Sequence, residues 1–427
     1  MTHTLPYEII AQIVQEAHTQ RDDTYARLRL LRTLRQVATV TDHLTLKHLY
    51  QSVPFSGPHA FHRFLEELRR FPARGLHVKE LDFSAFTSVG LGRSRNCNKH
   101  FTMLTSATLR ECLLLCPNIE RVFLSEAVEN DMDATVMHTL FNALPKLTTL
   151  DFCGADAPSF VAAMVASGAG GPLNVRHLSL HNCSTLPSTF FDDFLPRLTQ
   201  VEQLDLYNTK VSGTALRSLP VTASLHGLVL SQCVHVAAAD LTAFIMEHAA
   251  STQLERFDLH FSWNKTHPFE THPTELDLFC AHLPRQLTSL NVSGVELTTD
   301  HLTLLPQGLM ELGAHDIELT GEVAARLPKL EYLLLSTNVI SSEVTFANIL
   351  TTLFPRLALL ECPGFARLHI ASSLQWEKIE GRGRRDWLRR RGVQVTIEGA
   401  RQQWHARKLN LAGYAPRGLY EYYAYRI

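Results

Sequence analysis

No stretch of roughly 18 uncharged apolar residues occurs in this 427-residue sequence, so no membrane-spanning helix is expected. Its first residues lack a basic-then-apolar leader, because Glu8 interrupts the short apolar opening. Eight cysteines are present without a disulfide framework: Cys112 and Cys116 stand four apart, which suits one helix face. Reduced thiols in the cytoplasm or nucleus are the expected state. Catalytic signatures are missing as well. There is no Gly-x-Ser-x-Gly elbow, no His-Glu-x-x-His, no phosphate loop and no Cys-x-x-Cys pair. No enzyme is expected, and no cofactor or metal. A net charge of -2 and only 19% charged residues provide no global drive toward nucleic acid or a membrane surface.

That balance hides an asymmetry. Residues 356–427 carry 14 Lys+Arg against 6 Asp+Glu, a local +8, leaving 26 against 36, or -10, over residues 1–355. The body also repeats. Leu330-x-x-Leu333-x-Leu335-x-x-Asn338 is one copy of a hexad whose middle apolar residue recurs at Leu81, Val122, Leu150, Leu178, Leu204, Leu228, Phe257, Leu290, Leu312, Leu333 and Leu360. Most spacings fall between 21 and 29 residues; the exceptions are 41 and 33. Apolar positions at this period suit a short strand followed by a helical return. Pro117, Pro145, Pro196, Pro328 and Pro355 punctuate the ends of those returns, where proline stops a helix. Helical patterns include 101–115, 159–166, 239–249 and 343–353. Cys183 and Cys233 sit where such a repeat places Asn or Cys.

This series resembles the leucine-rich repeats, and the resemblance covers most of the chain. It implies an α/β solenoid, a horseshoe with parallel strands on its concave side and helices outside. Because strand side chains alternate, the residues flanking the inward leucines face the concave side. Asp151, His181, Asp205, Tyr207, Asp258, His260, Asn291, His315 and Tyr332 are therefore candidate contacts for a protein substrate on a mixed, water-exposed sheet surface. Asp151, Ser179 and His181 meet across two strands in this picture, but a flat wet sheet offers no oxyanion hole.

Residues 1–54 read as helical. Leu5, Ile9 and Ile13 form one row, and Ile10, Val14 and Ala17 form a second beside it, a wide stripe for a short helix. Leu28, Leu31, Leu34, Val37 and Val40 continue at helical spacing. A cap on a repeat array explains one such row but not two. Leu5-Pro6-x-Glu8-Ile9-Ile10-x-x-Ile13, with the segment from Leu31 through Val53, resembles an F-box, although a Trp common in the second half of that motif is replaced by Thr39-Val40-Thr41-Asp42. The resemblance implies a small all-α domain that binds a Skp-type adaptor and, through it, the cullin of a ubiquitin ligase. Leu5, Pro6, Ile9, Ile13 and Leu34 are the implied adaptor contacts.

The expected organisation is an F-box-like domain at 1–54, a linker helix at 55–75, a repeat array with its cap at 76–398 and an aromatic tail at 399–427. The 41-residue gap holds Ser88–Lys99, a Gly/Ser/Asn/Arg stretch with no Walker ending. The 33-residue gap holds His267 and His272, each before proline, at no zinc spacing. Arg382, Arg384, Arg385, Arg389, Arg390 and Arg391 read as the solvated face of a capping helix with Trp387 and Leu388 inward. The other reading is a nuclear-import or acidic-partner patch. A last strand is expected at 393–397. The favoured function is an F-box/leucine-rich-repeat adaptor with an unknown protein substrate. A scaffold without ligase linkage and a small-GTPase activator are the alternatives.

Overall fold

The computed structural model describes residues 7–19, 24–37, 39–55, 57–83, 104–124, 126–262, 264–315, 317, 320–335, 353–357, 359–362, 376–379 and 386–390. The chain forms two compact units, Met1–Ser167 and Gly168–Ile427.

The first unit opens with helices α1 (Tyr7–Thr19), α2 (Thr24–Arg35) and α3 (Thr39–Gln51), each packed on the other two. Val14, Leu31 and Thr45 are buried among them. Helix α3 passes directly into strand β1 (Ser52–Pro54), so the helical reading of residues 1–54 ends three residues early. The cause is local: Pro54 has no N–H to continue a helix and biases Val53 toward extended backbone. Strands β2 (Glu80–Asp82), β3 (Arg121–Phe123) and β4 (Thr149–Asp151) follow in parallel, with Val53, Leu81, Val122 and Leu150 in register. Helices α4 (Pro58–Arg70), α5 (Ser106–Leu115), α6 (Ala134–His138) and α7 (Pro158–Ala166) lie between or after them. Phe55 packs on Phe61, Phe64 and Phe83 with ring centroids 5.6, 5.4 and 4.6 Å away, joining α4 to the sheet. Gly75 is required where the chain passes α5, because a Cβ there would sit 2.0 Å from the Leu115 carbonyl oxygen.

The second unit continues the repeat as β5 (His177–Ser179), β6 (Gln203–Asp205), β7 (Gly227–Val229), β8 (Arg256–Asp258), β9 (Ser289–Asn291), β10 (Glu311–Ala314), β11 (Tyr332–Leu335) and β12 (Leu359–Cys362). All are parallel. Leu178, Leu204, Leu228, Phe257, Leu290, Leu312, Leu333 and Leu360 pair in one row. The intervening helices are short: α8 (Ser188–Phe194), α9 (Gly213–Arg217), α10 (Ala238–Glu247), α11 (Pro273–His282), α12 (Thr299–Leu304) and α13 (Gly321–Arg326). Phe257 of β8 meets Phe279 of α11 at 5.7 Å, which places the anchor side of the strands against the helices. Each unit therefore contains a run of leucine-rich repeats, and every expected anchor lies in a strand. Those with described side chains, from Leu81 to Leu333, are buried.

The end of the array differs from expectation. In place of a capping helix, β13 (Trp376–Ile379) and β14 (Asp386–Arg390) form an antiparallel pair, and β14 pairs antiparallel with β12. Gly383 and Gly392 weaken a helix at both ends of the segment, while β12 offers an open row of backbone partners. The 88–99 stretch, most of the 343–353 helical pattern, the 393–397 strand, the 399–427 tail, and Arg382, Arg384, Arg385 and Arg391 lie outside the described residues.

A left-handed turn closes five of the strands at a fixed offset. Gly154, Asn182, Asn208, Gln232 and Gly294, each four residues past an anchor, have φ of 76°, 61°, 52°, 65° and 113°. Asn tolerates this left-handed conformation better than most side chains. One residue further on, Cys183 and Cys233 are buried. The Cys233 thiol donates to the Leu206 carbonyl at 2.9 Å, alongside the Thr209 hydroxyl at 2.8 Å, and burial pushes its pKa up to about 11. The long insertion between β8 and α11 is held by His267. This ring is buried, its Nε2 donates to the Leu259 carbonyl at 3.1 Å and its Nδ1 accepts from the Phe269 N–H at 3.2 Å. Both nitrogens thus serve the local backbone. Burial lowers the His267 pKa to about 3, since a charged ring would lose its solvation.

Two outcomes test this account. Asn182→Val is expected to cost about 1–2 kcal/mol in urea unfolding through left-handed strain, and Asn182→Gly less than about 0.5 kcal/mol. For His267 the folded pKa lies below the unfolded value of about 6.5, so the unfolded chain takes up the extra proton between these values. Its stabilising contribution is complete above about pH 6.5 and declines as pH falls toward 3. Between pH 7.5 and 5 the wild type should lose about 2 kcal/mol more stability than His267→Gln.

Candidate functional site

Two regions concentrate the expected contacts, one in each unit. In the first, α1 and α2 leave an apolar groove of about 480 Å³ between them. It is lined by Ile9, Gln12, Ile13, Glu16, Ala17, Leu30 and Leu34. The two apolar rows of α1 divide their work. Val14 is 1% exposed and belongs to the helical core, whereas Ile9 and Ile13 are 42% and 46% exposed. Fully burying an isoleucine contributes about 1.5–3 kcal/mol, so a large part of that gain is still unrealised at both positions. Leu34 is half-buried on the facing helix. Three of the five expected adaptor contacts, Ile9, Ile13 and Leu34, therefore line one groove. Leu5 and Pro6 lie outside the described residues.

The strand face behaves differently from the wet surface expected of it. Asp151 in the first unit is buried, and so are Asp205, Tyr207, Asp258, His260, Asn291 and Tyr332 in the second; His181 and His315 are half-buried. Short acceptors after the anchors turn back on their own chain. Asp151 Oδ1 accepts from the Cys153 N–H at 2.8 Å, Asp205 Oδ1 from the Tyr207 N–H at 3.0 Å, and Asn291 Oδ1 from the Ser293 N–H at 3.1 Å. Asp258 Oδ1 accepts from the Ser231 hydroxyl at 2.6 Å, and Ser231 in turn accepts from the His260 N–H at 2.6 Å. These groups close strands. A carboxylate beside an unpaired backbone N–H at a strand end is drawn to it because the N–H has no ladder partner.

Within the second unit three candidates converge. His181 Nδ1 lies 3.1 Å from Asp205 Oδ2, and its ring stacks on Tyr207 at 4.4 Å with 12° between planes. His260, Asn291, His315 and Tyr332 belong to later strands or their ends and do not join that group in the contacts described. Sequence reasoning passed over the turn row beside it. Asn208 Nδ2 donates to Asn182 Oδ1 at 2.7 Å, and Lys265 Nζ donates to Asn208 Oδ1 at 2.8 Å. Asn182 and Asn208 stand 26 residues apart, the local repeat period, so their alignment was readable; Lys265 lies in an insertion with no period.

No family model matches the chain. It is 25% identical over 285 residues to F-box protein YLR352W of Saccharomyces cerevisiae. The chain is similar to an F-box protein. This match covers 60% of the chain and 35% of the relative, so the chain spans about a third of that protein's length. Two solved structures are among those with some similarity to the chain. One is the complex of Rad7 and Elc1 in yeast, with a TM-score of 0.48 at 13% identity, covering 86% of this chain and 90% of that one. The other is the leucine-rich repeat-containing protein LegL7 from Legionella pneumophila, with a TM-score of 0.40 at 17% identity, covering 60% and 87%. A protein named as an F-box protein is thus among those to which this chain is similar. Among the described residues, no helix is long and apolar enough to cross a membrane.

The strand-closing role of Asp205 is open to measurement. Asp205→Ala removes the acceptor for the Tyr207 N–H and should cost about 1–3 kcal/mol in chemical unfolding. A carboxylate kept solely for contact with a partner would leave stability within about 0.5 kcal/mol of the wild type.

Proposed function

We propose that this chain is a substrate-recognition adaptor of an SCF-type cullin-RING ubiquitin ligase. Its N-terminal helices hold a Skp-type subunit, which links it to a cullin, and the strand side of its repeats holds a protein substrate. The observation that carries this reading is the groove between α1 and α2. A helix whose only task is to cap an array buries one apolar row, whereas α1 also presents Ile9 and Ile13 to solvent opposite Leu34. Leu5 extends the same row in the sequence, and both it and the adjacent Pro6 belong to the proposed contact. The similarity to a curated F-box protein supports the reading.

No bond-making step is assigned to this chain. It raises the effective concentration of substrate lysines near a ubiquitin-charged enzyme, and its contribution is the geometry of two linked binding sites. Work in the cytoplasm or nucleus fits this role. The substrate side is the strand region around His181, whose half-buried ring is held rigid by the buried Tyr207 ring it stacks on and by Asp205.

The test is co-purification with a Skp-type subunit. Ile9→Asp with Ile13→Asp places two charges in the groove at exposed positions, where the cost to folding is small. The double variant should weaken Skp capture by about tenfold or more, with an unchanged thermal unfolding profile. A stable wild-type chain that never captures a Skp-type subunit would overturn the adaptor reading in favour of a scaffold.

A further inference from the structure

The insertion between β8 and α11 does more than bridge two elements. Lys265 reaches back across two earlier repeats, donating to Asn208 Oδ1 after β6 at 2.8 Å and to the Gln232 carbonyl after β7 at 3.2 Å. Both acceptors are neutral. Asn208 Nδ2 then donates to Asn182 Oδ1, after β5, at 2.7 Å. The hydrogen bonds all run one way, away from the ammonium. Each acceptor oxygen in the row is used internally, and Asn182, which is exposed, ends the row with its own NH₂ group. The result is a chain of donors fed by one half-buried positive charge.

Among the described residues no carboxylate pairs with Lys265, and the ionisable group that bears on it is the buried Cys233 thiol. Burial without a counter-ion lowers its pKa below the ordinary lysine value. A positive charge so placed favours any arrangement that brings an anion to it. The backbone holds the row open: Asn182 and Asn208 both occupy left-handed turn positions, so the amides are set by the repeat.

We infer that Lys265, Asn208 and Asn182 form a binding site for an anionic group, a carboxylate or a phosphate, carried by a protein segment lying along the ends of strands β5 to β8. The row follows strand-end turns about 4.8 Å apart, with Asn182 exposed and Asn208 and Lys265 half-buried. That shape holds an isolated ion weakly and suits an extended segment that makes further contacts. Beside the first two members of the row the half-buried His181 ring, stacked on the buried Tyr207 ring, gives such a segment one fixed neighbour. That this segment is a ubiquitin-ligase substrate rests on the adaptor reading; the anion preference does not.

The full chain is tested by fluorescence anisotropy against three labelled octapeptides. They share Gly/Ser/Tyr flanks and differ at the centre: Asp-Asp, phosphoserine or Asn-Asn. The wild type should bind at least one anionic peptide about tenfold more tightly than the Asn-Asn peptide, the worth of one charge-assisted hydrogen bond. A preference for Asp-Asp identifies a carboxylate site, and a preference for phosphoserine identifies a phosphate site. Lys265→Met should abolish the preference, Lys265→Arg should retain most of it, and Asn182→Gly, which keeps the turn, should reduce it about threefold. Equal binding of all three peptides by the wild type overturns the proposal, as does an anion preference that survives in Lys265→Met. Asn182→Gly keeps the test decisive if Lys265→Met unfolds. Skp capture by each variant is measured in parallel and should be unchanged, so failure of the anion site and failure of the adaptor reading are separable.

Discussion

Everything else in the structure is set by the register of the parallel strands, in which one apolar anchor lies directly beside the next. In the second unit the row runs from Leu178 through Leu204, Leu228, Phe257, Leu290, Leu312 and Leu333 to Leu360. A shift of one residue in any strand would turn its whole apolar set to the opposite face. Strand alternation then leaves no freedom on the other side. The residues beside each anchor form a second row, packed about 4.8 Å from strand to strand. The left-handed turn four residues later is a further consequence, since the chain must leave each strand in the same direction to reach the next helix.

This constraint explains why the strand side is tighter than a solvated sheet. Asp205, Asp258 and Asn291 reach backbone N–H or hydroxyl groups at the strand ends and are held there. Such residues give the surface a fixed shape at the expense of adaptability. The same stacking orders the strand ends, where His181 lies on Tyr207 and Asn182, Asn208 and Lys265 form a hydrogen-bonded row. The N-terminal helices follow the opposite logic. Their core takes Val14 and Leu31, while Ile9 and Ile13 remain half uncovered in one groove.

Much of this was legible beforehand, and the reason differs by element. Hexads of LxxLxL type mark strands because period-two alternation and a fixed return length have no other common physical solution. The two-row pattern of α1 foretold one buried and one open face, because helical spacing alone places Ile9 with Ile13 and Val14 beside Ile10. The segment around Trp387 was misread: its arginines and the following glycine resemble a helix end, but the free edge of β12 captured it as a strand. Ser52–Pro54 continues the helical pattern in sequence, yet Pro54 turns it into a strand. Lys265 carried no signal at all, since its partners lie 57 and 33 residues away.

By itself the sequence determined the repeat, the anchors, the two-faced first helix and the choice of cysteine at buried turn positions, because each of these depends on side-chain spacing along a single stretch of chain. Tertiary structure alone decided which strand-face groups close turns, where the long insertion folds back, and that the chain beyond β12 pairs as strands. Those outcomes depend on which backbone groups are left without a partner once the strands are stacked, and that becomes defined only in three dimensions.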